Sequence, residues 1–263
     1  VLNKRIEAKH TMPSHIALQL YTLTQALAKD FAGVLRRVAA LGYAGVETAG
    51  FPGATPSAVA RLCNELGLTV CAAHNPLPLG DQKQEVLDTM GALGCQRLIC
   101  PGQAPEYFNT PDGIRRMCET LNEANTVARA HGLTLGYHNH WQEFLPVPGD
   151  GRLAYQFLLE HLSPDIFLEI DTYWVKTAGV DPAAVLREIG RRAPLLHIKD
   201  GPAVQEAPMT AVGAGVLDWP AVAEASSAEW WIVELDRCAT DIWEALQQSY
   251  TYLTGMRFVR GKR

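Results

Sequence analysis

A chain of 263 residues, 48% hydrophobic and 19% charged, has the makeup of a globular protein with a large core, and its length suits one barrel-sized domain or two smaller ones. A net charge of −5 argues against nucleic acid or a membrane surface as partner, and no apolar run approaches the ~20 residues that span a bilayer. Six scattered cysteines without a C-x-x-C pair read as reduced, mostly buried thiols of a cytoplasmic protein.

The opening VLNKRIEAKHT lacks an apolar h-region and reads as an extension ahead of Met12, the expected native start. From there, β-rich runs alternate with amphipathic ones. HIALQLYTL (15–23) leads to a helical pattern over 30–43, and AGVETA (44–49) to one over 56–68. LTVCAAHN (68–75) and RLICPG (97–102) follow, then a long helix over 111–133. LTLGYHNH (133–140) precedes a helix over 152–162, and DIFLEIDTYW (165–174) one over 182–193. PLLHIKD (194–200) and WWIVELD (230–236) are the last strands, with helices over 219–226 and 241–255. Several helices open behind Pro or Asp and close on Gly, as at Leu41-Gly42 and His131-Gly132.

Eight near-continuously apolar strands with intervening helices and no linker predict an α/β fold, a single (β/α)8 TIM barrel over 12–255, with 1–11 and 256–263 as terminal extensions. A doubly wound sheet is the competing architecture. It calls for a G-x-G-x-x-G turn after the first strand, where the chain reads QLYTLTQAL.

Barrel enzymes build their sites at the C-terminal ends of the strands, so strand endings are the informative positions. They carry Gln19 and Tyr21, Glu47, His74 and Asn75, His138 and His140 with Glu143 beyond, Glu169 and Asp171, His197 with Lys199 and Asp200, and Glu234 with Asp236. Period-two alternation puts His138 with His140, Glu169 with Asp171, and His197 with Lys199, leaving Ile170, Leu196, Ile198 and Val233 to the outer core. A strand-end histidine such as His74 caps a loop as readily as it touches a ligand. The plain structural alternative for Lys199 is to neutralise the acidic rim, with Glu47 as one partner, and Glu169 is read as a buried ion-pair member one layer deeper. Asp171, His197 and Glu234, on three consecutive strands, are different: buried charges so close together need a counter-charge or a metal. Oxygen and nitrogen donors without a thiolate suit one divalent ion, Mn, Co, Mg, Fe or Zn.

DTYWVKTAGVDP (171–182), LLHIKDGP (195–202), GAGVLDW (213–219) and IVELDR (232–237) together resemble the sugar phosphate isomerase/epimerase superfamily, the xylose isomerase-like barrels. YHNHWQEF (137–144) is typical of one branch, similar also to inosose dehydratase. The resemblance implies a metal held by Asp171, His197, Glu234 and a group from the fifth strand. That group is either His138, standing where relatives have glutamate, or Glu143 reaching back; Glu143 preserves the usual carboxylate and is the expected fourth ligand. It further implies a metal-dependent sugar isomerase or epimerase that abstracts a proton next to the carbonyl of a small ketose, keto-sugar or inosose. The alternative is a lyase of the inosose dehydratase or 3-keto-sugar type. Glu234, His138, His140 and Lys199 are the expected catalytic groups; Gln19, Tyr21, Glu47, His74 and Trp174 the expected substrate contacts. The loop Gly213-Ala214-Gly215 departs from the G-E-G of similar proteins. The apurinic endonucleases of this fold need an Asp-x-x-His that Asp171-Thr172-Tyr173-Trp174 does not supply. A non-catalytic sugar-binding barrel would lose ligands, and the three secure ones are present. Tyr107, Phe108 and Trp141 are read as exposed aromatics that either cover the site or meet a second copy in a homo-oligomer.

Overall fold

The computed structural model describes residues 14–257 and 259–262; the expected extension 1–11 lies outside them. Eight strands, β1 (Ser14–Gln19), β2 (Gly45–Ala49), β3 (Thr69–His74), β4 (Arg97–Cys100), β5 (Thr134–His138), β6 (Phe167–Asp171), β7 (Leu195–Ile198) and β8 (Trp230–Val233), pair in parallel in chain order. The β1–β8 and β1–β2 pairings close the sheet into a barrel. A short β9 (Val259–Arg260) adds to β1 at Ser14 and His15, so the C-terminal residues expected as an extension are stitched to the sheet.

Every strand is apolar on its outer face. Ile16, Leu18, Val46, Leu168, Ile170, Leu196, Ile198 and Val233 belong to the large cluster between sheet and helices. A second, smaller cluster of Ala17, Ala72, Ile99, Leu195, Trp230 and Ile232, with Phe167 against it, plugs the barrel interior below the polar layer. At ~25 cal/mol per Å2 of apolar burial these two layers are the main source of stability.

The helices are placed by their caps. Asp30, Thr55, Thr110, Asp218 and Asp241 each accept from backbone N–H groups of the first turn. Left-handed Gly42 and Gly67 end the helices Phe31–Leu41 and Pro56–Leu66. Several elements differ from the sequence reading: the run 15–23, for one, is strand only to Gln19 and becomes a 3-10 helix over Leu20–Leu23. The run 165–174 is strand only to Asp171, whose carboxylate Oδ1 accepts from the N–H of Tyr173 and Trp174 and opens the helix Thr172–Thr177. The helix Lys83–Leu93, whose apolar face is sparse, fills the step between β3 and β4, for which the sequence reading has no range.

Most strands stop earlier than their apolar runs. Lys199, Glu234, Asp236 and His140 therefore stand on the βα loops above the last strand residues, at the C-terminal rim.

Candidate metal centre

The polar residues form two layers inside the barrel mouth. In the deeper layer Gln19, Glu47, Glu169 and His197 are fully buried, while His74 and His138 reach the cavity above. Gln19 Nε2 donates to Glu47 Oε2 at 2.7 Å, and the same oxygen lies 2.6 Å from His197 Nε2 and 3.3 Å from His74 Nε2. Glu169 Oε2 lies 2.8 Å from His74 Nε2, 3.1 Å from His138 Nδ1 and 3.2 Å from His197 Nε2. Burial alone would raise the Glu47 pKa, but the His74 and His197 charges hold it well below the carboxylate range. His74 is pressed down by burial yet carried up to about 10 by Glu47 and Glu169.

In the upper layer His197 Nδ1 lies 2.7 Å from Glu234 Oε2, and His138 Nε2 lies 4.0 Å from Asp171 Oδ2. Each of these histidines therefore turns one ring nitrogen to the deep carboxylates and the other to the upper ones. Lys199 Nζ sits among the upper acids, 3.0 Å from Asp171 Oδ2, 2.7 Å from Glu234 Oε2 and 2.9 Å from Asp236 Oδ2. Glu47, the alternative partner for Lys199, lies against His74 and His197. Burial disfavours the Lys199 charge, but the three acids raise its pKa well above the usual lysine value. Burial raises Asp171, partly offset by Lys199. Glu234 is held low by Lys199 and His197 against its burial, and Asp236 is pushed up to about 6 by burial, against Lys199. Burial and the neighbouring His197 charge press His138 well below the ordinary histidine value.

The ligand-type atoms of His138, Asp171, His197 and Glu234 all lie within 4.8 Å of one another, as do those of His74, His138, Glu169 and His197. Glu143 is in neither group. Its Oε1 accepts from the Tyr137 hydroxyl at 2.6 Å and its Oε2 from the His140 N–H at 3.0 Å. Tyr137 alternates with His138 and so points to the opposite face of the sheet, taking Glu143 with it. Glu143, the expected fourth ligand, is thus held away from both groups: its carboxylate clips the back of the β5 loop, where burial pushes its pKa up to about 7.

Above the upper layer opens a cavity of about 590 Å3, lined among others by Tyr21, His74, His140, Trp174, Lys199 and Asp236. Of the expected substrate contacts, Tyr21, His74 and Trp174 line it. Gln19 and Glu47 do not, because their ends of β1 and β2 lie one layer below and both are fully buried. Phe108 is buried at 7% exposure, not an exposed lid residue; Tyr107 and Trp141 are half-buried.

The profile of the xylose isomerase-like TIM barrels matches residues 35–235. The chain belongs to this family. No curated protein matches the sequence. Among solved structures, it is similar to a sugar phosphate isomerase/epimerase from Parabacteroides distasonis, at 22% identity over 99% of this chain and 100% of that one, with a TM-score of 0.80. The probable 3-DHS dehydratase of petrobactin synthesis from Bacillus anthracis is 12% identical over 91% and 98%, TM-score 0.74. The IolI protein with a zinc atom is 15% identical over 91% and 96%, TM-score 0.67. At these identities the likeness is one of fold.

Three residues with evident work at the rim were given no role from the sequence, although Asp200 and Asp236 are among its strand endings. Asp236 shares a face with Glu234 by simple alternation, a signal that was available. Asn139 ties β5 to β6, its Oδ1 accepting from the Asp171 N–H at 3.0 Å, so the residue between the two histidines fixes the spacing of both strands' ends. Asp200 is fully buried and accepts from the N–H of Gly201 and Gly213 and from the indole of Trp219. A Cβ at Gly215 would fall 2.0 Å from its Oδ1, and one at Gly213, with φ +91, would fall 2.6 Å from the Tyr252 ring, which accounts for the two glycines of the G-A-G loop.

Proposed function

We propose that the protein is a divalent-metal-dependent isomerase or epimerase of a small ketose, keto-sugar or inosose. The observation that carries this reading is the convergence of His138, Asp171, His197 and Glu234 directly below a cavity of monosaccharide size. In this reading His138, not Glu143, is the fourth ligand. The donor set fits an ion: two imidazoles and two carboxylates without a thiolate, with the buried Asp171 Oδ2 facing only the Lys199 ammonium, at 3.0 Å, and His138 Nε2, at 4.0 Å. When bound, a divalent ion polarises a carbonyl and acidifies the neighbouring C–H.

The chain's own residues supply the remaining functions. His140 and Asp236 line the cavity from loops after β5 and β8, strands separated by two others, so a substrate ring between them meets a proton-carrying group on either side. Burial and the Lys199 charge bring His140 down to about 4, leaving a neutral imidazole that can accept a proton. Lys199, anchored by three carboxylates, offers a fixed positive charge to a developing enolate oxygen. Trp174 and Tyr21 give walls for a sugar face, and His74 can reach a hydroxyl.

The test is solvent exchange. Ketoses, keto-sugars and inososes incubated in D2O with manganese-loaded protein should take up deuterium next to the carbonyl, and chelation should stop it. No exchange with any of them would refute the reading. Release of water or an aglycone with new ultraviolet absorbance would assign the lyase reaction instead.

A further inference from the structure

A second cavity of about 490 Å3 adjoins the first and shares Pro101 and His140 with it. Its other walls are Gly102, Gln103, Ala104, Trp141 and Gln142. Gly102 and His140 stand together at the boundary of the two spaces. Gly102 has φ +106, and a Cβ there would lie 2.9 Å from His140 Nδ1, so any side chain at 102 would push the imidazole out of its place between the cavities. Trp141 is held rather than loose: its ring centroid is 5.1 Å from Trp174, a wall of the first cavity, and 6.2 Å from His140, edge-on. No charged residue lines the second cavity. Its polar side chains besides His140 are the two amides, and Gln103 spends one N–H on Cys100 Sγ at 3.1 Å, keeping its carbonyl for a ligand. An aromatic face flanked by neutral amides suits an uncharged, hydroxyl-bearing ring.

We propose that the ligand is a disaccharide-sized glycoside, with one ring over the metal cluster and the second on Trp141, the glycosidic link passing His140. This rests on the sugar reading of the first cavity and extends it by naming the substrate class: a two-ring neutral glycoside rather than a single sugar. The adjacency of the two cavities, which share Pro101 and His140, and the imidazole that stands between them are what the proposal stands on.

The test is calorimetric titration of manganese-loaded protein with glucose and with cellobiose, maltose and lactose. At least one disaccharide should bind roughly tenfold or more tightly than glucose, the worth of one good ring contact. Ala104→Trp, which fills the second cavity, and independently Trp141→Ala should bring that disaccharide to the affinity of glucose. Disaccharides no tighter than glucose, or an advantage that survives Ala104→Trp, would overturn the proposal. So would failure of every sugar to bind while deuterium exchange on keto-sugars persists, and in that case the isomerase reading stands alone. A disaccharide advantage lost in Ala104→Trp without any deuterium exchange would uphold the second site and sink the isomerase reading.

Discussion

Lys199→Met isolates the electrostatics of the upper layer. Lys199 is 1% exposed, and its ammonium lies within 3.0 Å of oxygens on Asp171, Glu234 and Asp236. Removing one partner of such a buried set leaves uncompensated carboxylates, a loss of about 3–5 kcal/mol. In a chain of this size that corresponds to a fall in Tm of about 6–20 °C. The assay is thermal unfolding of the chelator-treated protein, followed by circular dichroism. The same substitution removes a positive charge from beside two proposed ligands, so manganese should bind the variant more tightly than the wild type. At a hundredfold excess over Kd the ion should restore about 2.7 kcal/mol. The deficit should also shrink as pH falls. Carboxylates without a counter-charge bind protons more tightly folded than unfolded, so their penalty is present at high pH and relieved on protonation. A Lys199→Met protein that melts with the wild type in chelator, at pH 8 as at pH 5.5, would refute this account of the upper layer.

Other outcomes follow from the deep layer and the β5 clip. Glu169→Gln removes the carboxylate facing His138 Nδ1, and by loosening the ring should weaken manganese affinity about 10- to 100-fold, measured by calorimetry; unchanged affinity would deny Glu169 an orienting role. Glu143, with a folded pKa raised from 4.5 to about 7, binds its proton more tightly folded than unfolded. Its contribution is therefore most favourable below about pH 4.5 and is lost as pH rises through 7, by up to about 3 kcal/mol. Urea unfolding at pH 5 and pH 8 should show this loss in the wild type and a flatter dependence in Glu143→Gln; equal slopes would show the carboxylate to be free of the burial ascribed to it.

Much of this architecture is legible in the sequence because the β/α alternation, strand apolarity and Gly and Asp punctuation agree with one another. Period two also assigns faces correctly: Leu168 and Ile170 pack outward while Glu169 and Asp171 point in. What it does not give is depth. Glu47 and Tyr21 both follow apolar runs, yet the β2 register sinks Glu47 below the histidines while Tyr21 is 54% exposed. The true end of β6 was hidden by Tyr173 and Trp174, whose strand preference is overridden by the Asp171 cap. For Glu143 the resemblance pointed to a carboxylate ligand, whereas alternation along β5, which sends Tyr137 to the face away from His138, already supplied its real partner.

The most direct test of the metal centre is the metal content and manganese affinity of gently purified wild-type protein beside His138→Ala and Glu143→Gln. The account predicts one divalent ion per chain in the wild type and in Glu143→Gln, and its loss in His138→Ala. Retention in His138→Ala with loss in Glu143→Gln, or a wild type that takes up no ion, would contradict it.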